Sequence, residues 1–294
     1  MKKSLVLAFL ALVLSAPALV AAELVTLVRM KLTAGDLQSG IAGVSEYRKE
    51  KGVDAEYLNA VGWLARGAVL LDKPELAQTY VAELRREIPE EKEELLTPYG
   101  AAIEVESRLI AARDGRGPAI RYLEAQLARA KATSLQSRIS KNINLLALEG
   151  QAAPPVDASS LASLKGKPVL LFFWAHWCGD CLAQSAPLGR VWQKYRERGL
   201  AMLATTRLYG TVAQKDATPA EEKAELEKVW KEKYAALADV PIVISTEAMV
   251  RYGASATPTF ALVDRRGVVR MYTPTRLSEE ELSRWIEEVL AEGP

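Results

Sequence analysis

Residues 169–181, Val-Leu-Leu-Phe-Phe-Trp-Ala-His-Trp-Cys-Gly-Asp-Cys, join an apolar run to two cysteines three positions apart. The run Val169–Trp174 has the composition of a strand that is buried on both faces of a sheet. After a short turn, Cys178 begins a predicted helix that continues to about Arg198 and ends at Gly199. The two cysteines are therefore expected at a strand-to-helix turn, close enough to form a disulfide with each other.

This position predicts different chemical roles for the two thiols. Cys178, at the helix N-terminus, feels the positive end of the helix dipole and unpaired backbone N–H groups, which stabilise its thiolate and lower its pKa from about 8.5. Cys178 is therefore expected to attack a substrate disulfide, and Cys181 to resolve the mixed disulfide. The expected redox group is this disulfide itself, with no further cofactor. The alternatives are a half zinc site or two inert core thiols. His176 is the one histidine, so a four-ligand zinc site cannot be assembled.

Three stretches of the sequence carry a resemblance to a known family. The stretch Phe172–Cys181 looks like the active-site strand and turn of thioredoxins, and Ser160–Pro168 resembles the lead-in of exported TlpA/ResA-type thiol:disulfide oxidoreductases. Ala256–Phe260, Ala-Thr-Pro-Thr-Phe, precedes a predicted strand, where the family places a cis-proline that faces the cysteines. The resemblance implies that Pro258 is this proline and that the backbone of Thr257 pairs with a bound substrate chain.

The resemblance covers roughly residues 155–292 and implies an α/β thioredoxin-like fold. The residue pattern agrees with it, because the predicted elements follow the order β-α-β-α-β-α-β-β-α. After the first strand and helix, the predicted strands are Leu200–Thr205, Val240–Ser245, Thr259–Val263 and Val268–Tyr272, and the predicted helices are Lys215–Asp239, Thr246–Tyr252 and Ser278–Leu290. The first of these three helices corresponds to one that exported relatives insert.

Several residues near the cysteines depart from the family pattern. Phe172 stands where thioredoxins carry a buried Asp, and Gln184 stands where several exported relatives carry a Glu, so both usual proton acceptors are missing. Gly179 and Asp180 separate the cysteines. Asp180 either takes part in proton transfer or is an acidic residue of the first helical turn. A carboxylate there raises the free energy of the Cys178 thiolate and favours a reducing couple.

The aromatic neighbours of the cysteines have separate predicted roles. The imidazolium of His176 can stabilise the thiolate near pH 6–7, but its place in an exposed turn predicts simple solvation instead. Trp177 is expected to shield the disulfide and to offer a flat apolar surface to protein substrates, whereas Trp174 is expected in the core. The loop Arg207–Gly210 is a candidate rim segment near the strand ends.

The N-terminus of the chain has the pattern of a secretory signal peptide. Lys2 and Lys3 precede the apolar run Leu5–Leu14, and the small residues Val20-Ala21-Ala22 follow. An uncleaved membrane anchor is the alternative, although this run is about half the roughly 20 residues that a spanning helix needs. The mature protein is therefore expected outside the cytosol, in the periplasm or the extracellular space.

The segment between the signal and the thioredoxin-like half has apolar residues at helical spacing. Asp72–Tyr80 and Asp114–Tyr122 share an eight-residue spacing, which hints at a degenerate helical-pair repeat, with an irregular bundle as the alternative. The predicted organisation is a signal peptide at 1–22, an all-α helical domain at 23–150, a proline-containing linker at 151–160 and a thioredoxin-like domain at 161–294.

The composition narrows the classes of function. The 294 residues include 38 Lys+Arg and 37 Asp+Glu, so there is no electrostatic case for binding nucleic acid. The predicted function is an exported protein-disulfide reductase that acts on protein thiol or disulfide substrates and needs an upstream membrane electron donor. The alternatives are an oxidase or isomerase with the same residues, and an assembly protein whose helical domain binds a protein partner while the thioredoxin-like part is a docking module.

Overall fold

The computed structural model describes residues 24–157 and 162–292. The predicted signal peptide at 1–22 lies outside the described residues, as do residues 158–161 at the end of the predicted linker. In the described part of the chain, no helix combines the length and the apolar character needed to cross a membrane.

The first half is helical, as predicted. Its helices are α1 (Leu24–Thr33), α2 (Leu37–Lys51), α3 (Ala55–Leu70), α4 (Pro74–Glu87), α5 (Leu96–Asp114), α6 (Arg116–Leu127) and α7 (Thr133–Ala147). Asp36 and Asp54 cap α2 and α3 by accepting backbone N–H bonds. The small residues of α3 allow close packing: a Cβ on Gly62 would lie 3.0 Å from that of Ala101 in α5. The helix α3 is therefore central and contacts α1, α4 and α5.

The second half has a mixed sheet with the thioredoxin-like topology. Its elements are β1 (Val169–Phe173), α8 (Gly179–Tyr195), β2 (Ala201–Thr206), β3 (Thr211–Val212), β4 (Lys215–Asp216), α9 (Pro219–Lys233), β5 (Ile242–Ile244), α10 (Thr246–Arg251), β6 (Thr259–Val263), β7 (Val269–Thr273) and α11 (Glu279–Ala291). The five-stranded sheet has the order β5-β2-β1-β6-β7. Strands β1, β2 and β5 are parallel, and β6 and β7 run antiparallel to their neighbours.

Both faces of this sheet are covered, which explains the unbroken apolar run of β1. Alternate residues of a strand point to opposite faces. Leu170 and Phe172 pack in one core with residues of α8, α9 and α11, whereas Leu171 and Phe173 pack in a second core with α10. Every residue of β1 is buried, so the central strand that leads to the cysteines is rigidly supported.

The helix predicted over Lys215–Asp239 begins later than expected. Lys215 and Asp216 form β4, which pairs with β3 in a small hairpin. The helix α9 begins at Pro219, where Thr218 and Glu221 form a reciprocal capping box. The prediction of helix at Lys215 was wrong because charge density marks an exposed segment without distinguishing a helix from a hairpin.

The two halves pack directly against each other. The side-chain amide of Asn144 in α7 donates to the carbonyl of Arg251 at the end of α10, 2.9 Å away. The chain leaving α7 runs along β7: the N–H of Gly150 donates to Val269, whose N–H donates to Gln151. The start of the predicted linker is thus hydrogen-bonded to the edge of the sheet.

Candidate active site

The two cysteines lie at the N-terminus of α8, directly after β1. They form a disulfide, with Cα atoms 5.2 Å apart. Cys178 is the N-cap residue, and its Sγ accepts the backbone N–H of Cys181 at 3.1 Å. Cys178 is 7% exposed and Cys181 is completely buried. A substrate can therefore approach Cys178 alone, and an N–H group is already aimed at the sulfur that would carry negative charge.

The loop before β6 closes the site on the opposite side. The Thr257–Pro258 peptide bond is cis. The carbonyl oxygen of Thr257 lies 3.3 Å from Sγ of Cys178. Pro258 is buried, and Thr257 is partly exposed. The structure thus brings the two motifs, 79 positions apart in the chain, into contact around the reactive sulfur.

Phe172 and Gln184 occupy the two positions where the family pattern predicts a proton acceptor. Both side chains make structural contacts instead. Phe172 is fully buried and stacks on Phe260, with ring centroids 5.3 Å apart. Gln184 is buried and makes two hydrogen bonds to the backbone of Leu277: its Nε2 donates to the carbonyl at 2.8 Å, and its Oε1 accepts the N–H at 3.1 Å. Gln184 therefore fastens the loop before α11 to α8.

Asp180 lies on the exposed first turn of α8. Its side chain is 67% exposed, and its Oδ1 is 3.6 Å from Nε of Arg276. This partner comes from the loop before α11 and offsets part of the negative charge beside Cys178. Sequence reasoning did not identify Arg276, because nothing in the local pattern links a loop residue to a helix nearly a hundred positions away.

His176 is not solvated, contrary to the prediction from its turn position. Its side chain is only 4% exposed. Nε2 lies 3.2 Å from the carbonyl oxygen of Thr211, and Nδ1 lies 3.7 Å from Oε1 of Glu222. The prediction failed because β3 and the start of α9 cover the turn, and neither contact is local in sequence.

Glu222 is a functional candidate that sequence reasoning missed. It is completely buried, and its two carboxylate oxygens accept the backbone N–H groups of Tyr209 and Gly210, each at 2.7 Å. Its spacing of four residues from Leu226, and of eight from Trp230, places it on the buried stripe of α9. This spacing was the sequence signal that could have predicted the burial of Glu222. It was overlooked because many residues of the segment are charged.

Trp177 forms the exposed rim of the site. Its side chain is among the large apolar groups open to solvent, at 59% exposure. Tyr209, in the predicted rim loop Arg207–Gly210, meets it edge to face at a centroid distance of 5.2 Å. Trp174 is fully buried against Trp230, which confirms its predicted place in the core. Burial raises the pKa of Tyr209, so this ring stays neutral at ordinary pH.

The second half of the chain is similar to several known proteins. Residues 141–284 match the Redoxin family. Thioredoxin-like protein YneN of Bacillus subtilis (strain 168) is 26% identical over 144 residues, covering 46% of this chain and 77% of that protein. Thiol-disulfide oxidoreductase ResA of Geobacillus kaustophilus is 26% identical over 131 residues, covering 44% and 67%. A solved thiol:disulfide interchange protein of the thioredoxin family from Chlorobium tepidum TLS is 20% identical with a TM-score of 0.38, covering 49% of this chain and 98% of its own.

Proposed function

We propose that the second half of the chain is a thiol:disulfide oxidoreductase domain of the TlpA/ResA type, and that the protein is exported and reduces disulfide bonds in other proteins. The single observation that carries this proposal is the asymmetry of the disulfide. Cys178 reaches the surface at the start of α8, beside the Thr257 carbonyl, while Cys181 is sealed behind it.

In the proposed reaction, the reduced form of the protein attacks first. The Cys178 thiolate attacks one sulfur of the substrate disulfide, breaks that S–S bond and releases one substrate thiolate, which takes a proton from water. Cys181 then attacks Sγ of Cys178 in the mixed disulfide, and its proton passes through water to the substrate sulfur that leaves. The second substrate thiol leaves, and the Cys178–Cys181 disulfide remains. Two electrons have passed to the substrate.

Substrate binding in this proposal uses the groups around Cys178. The backbone of Thr257 pairs with the extended substrate chain, as the resemblance implies, and Pro258 fixes its position. Trp177 supplies an apolar surface next to the attacked bond. A membrane electron donor outside the cytosol returns two electrons to the disulfide after each turnover. The helical half is then a candidate surface for that donor or for another protein partner.

The reduction potential of the Cys178/Cys181 couple tests the direction of electron flow. The mature protein is equilibrated in graded thiol buffers, and its free thiols are counted by mass. A value near or below about −230 mV supports a reductase. A value above about −150 mV contradicts it and indicates an oxidase or isomerase.

Turnover of a disulfide substrate tests the role assigned to Cys178. We expect the reduced protein to cleave the disulfides of insulin, and Cys178→Ser to abolish this activity. Full biological function of Cys178→Ser would instead indicate an assembly protein with a redox-inactive docking module.

A further inference from the structure

Under the active-site turn, a buried carboxylate faces the histidine that stands two residues before Cys178. Glu222 lies at ion-pair distance, with its Oε1 3.7 Å from Nδ1 of His176. Both side chains are almost completely removed from water. Within the described residues, Nδ1 is a buried nitrogen without a hydrogen-bond partner. The exchange reaction as derived above uses neither group.

Each ring nitrogen of the imidazole faces an oxygen that can accept a hydrogen bond. The carbonyl of Thr211 can only accept a hydrogen bond, so Nε2 of His176 carries a hydrogen. Nδ1 faces a carboxylate, which is also an acceptor. The carboxylate of Glu222 already receives two backbone N–H bonds, from Tyr209 and Gly210. The imidazolium is therefore the form that presents a hydrogen to both oxygens.

The other charged or titratable groups around His176 come from three elements. The loop after β2 contributes the ring of Tyr209, at a centroid distance of 6.2 Å, and Arg207, which stacks on that ring. The active-site turn contributes Cys178 itself and Asp180, which is exposed and pairs with Arg276. The helix α9 contributes Glu222. A buried carboxylate interacts with a nearby charge more strongly than an exposed and paired carboxylate does. Among these groups, Glu222 therefore has the largest electrostatic effect on the imidazole of His176.

We propose that Glu222 and His176 are positioning residues for thiol–disulfide exchange, in which Glu222 keeps His176 as an imidazolium and its positive charge favours the Cys178 thiolate. The inference rests on the proposed function, since it concerns the same sulfur. The imidazolium keeps its proton throughout: the Cys178 proton goes to water, and the pair neither gains nor loses electrons. The pair therefore does not replace the proton acceptors missing at positions 172 and 184, and it acts on Cys178 only through its charge.

The charge of His176 can be read directly in the unmodified protein. This is the one histidine of the sequence, so a ¹⁵N-labelled protein without a histidine tag gives a single pair of imidazole signals. We expect both ring nitrogens to be protonated at pH 7 in the wild-type protein, and a neutral Nε2–H ring in Glu222→Gln. A neutral ring in the wild-type protein at pH 7 would overturn the proposal.

The effect on Cys178 is measured by the rate of alkylation of the reduced protein with iodoacetamide, with Cys178 identified by peptide mass. At pH 6 we expect Glu222→Gln to react about five- to tenfold more slowly than the wild-type protein, because a smaller fraction of Cys178 is thiolate. His176→Phe, which leaves the Glu222–loop contacts in place, should slow the reaction similarly. The double variant should be no slower than either single variant.

Glu227→Gln is the matched control, because Glu227 is an exposed acid on the same helix that pairs with Lys223. It should leave the alkylation rate unchanged. Unchanged rates in Glu222→Gln, or equal slowing in Glu227→Gln, would refute the proposal.

Insulin reduction by the wild-type protein distinguishes a failure of this proposal from a failure of the proposed function. Turnover together with an unaltered alkylation rate in Glu222→Gln refutes the positioning role and leaves the function standing. A slowed alkylation rate without wild-type turnover refutes the function and leaves the electrostatic role of the pair standing.

Discussion

Gly253 lies so close to Lys141 that a Cβ atom on Gly253 would be 2.1 Å from the Lys141 backbone nitrogen. The contact joins the end of α10 to α7, and therefore the sheet to the helical half. Gly253 also has a φ of +60°, in the left-handed region that favours glycine. The interface between the two halves thus depends on a position without a side chain.

Gly253→Ala should destabilise the protein and loosen the contact between its halves. The clash is with backbone atoms that have little freedom to move, so we expect a loss of about 2–4 kcal/mol, measured by chemical denaturation. Gly267→Ala is the matched control: its φ is +81°, but nothing lies within 4 Å of the added Cβ. That variant should lose only about 1 kcal/mol. Equal losses in the two variants would show that the interface is not tightly packed.

Gln184→Glu should make stability depend on pH. The carboxyl would face the carbonyl of Leu277 in a buried site, which raises its pKa above the unfolded value of about 4.3. Below that pH the protonated group can donate as the amide does, and the variant should resemble the wild-type protein. As the pH rises, its stability relative to the wild-type protein should fall by about 1–3 kcal/mol and then level off above the folded pKa.

Denaturation curves between pH 4 and pH 8 check this expectation. Gln193→Glu, on the exposed side of the same helix, serves as the control and should show no such dependence. A flat difference between Gln184→Glu and the wild-type protein would mean that the Leu277 contact is readily replaced.

Asp180→Asn should lower the pKa of the Cys178 thiol, because it removes a negative charge beside the thiolate. Exposure and the Arg276 partner limit the change to about half a pH unit or less. Arg276→Gln should shift that pKa in the opposite direction. Both shifts should shrink in 1 M salt, and pH-dependent alkylation of Cys178 measures them. No change in Asp180→Asn would leave this residue with only the role of an acidic first-turn residue that stabilises the N-terminus of α8.

Asp264 should make the wild-type protein less stable in acid. Burial opposes its charged form, but the N–H groups of Val268 and Arg266 and the guanidinium groups of Arg266 and Arg270 outweigh burial and lower the pKa of Asp264. Its stabilising contribution is complete above the unfolded pKa of about 3.9 and is lost as the pH falls toward the lower folded value. Asp264→Asn should cost about 1–3 kcal/mol at pH 7 and less near pH 3, by urea denaturation.

Trp177→Ala should affect protein substrates more than small ones. Its exposed ring beside Cys178 offers contact area that a protein chain can cover and a small disulfide cannot. We expect kcat/KM for insulin to fall about tenfold, with little change for a small aromatic disulfide. Leu145→Ala removes an exposed apolar group from α7 and should change neither rate. Equal losses on both substrates would assign Trp177 to the chemistry of the disulfide instead.

The fold of the second half was predicted from local motifs and from the family resemblance that these motifs carry. The apolar run of β1, the cysteine pair and the Pro258 motif each lie within a few residues, and the residue pattern predicted the order of strands and helices along the chain. The sequence pattern did not predict the burial of polar side chains whose hydrogen-bond partners are backbone groups distant in the chain. Glu222 is buried because the N–H groups of Tyr209 and Gly210 satisfy its oxygens, and these donors are available only after the loop has folded. The covering of His176 depends on the same loop.

The hydrogen bonds between the chain leaving α7 and β7 affect how the second half should behave when it is produced alone. Val269 exchanges backbone hydrogen bonds with Gly150 and Gln151, so the outer side of β7 is occupied. A fragment that starts after these residues would expose an unpaired strand edge, to which another copy could add. It would also uncover Tyr252 and Tyr272, which pack with Leu148. Such a fragment should therefore tend to aggregate.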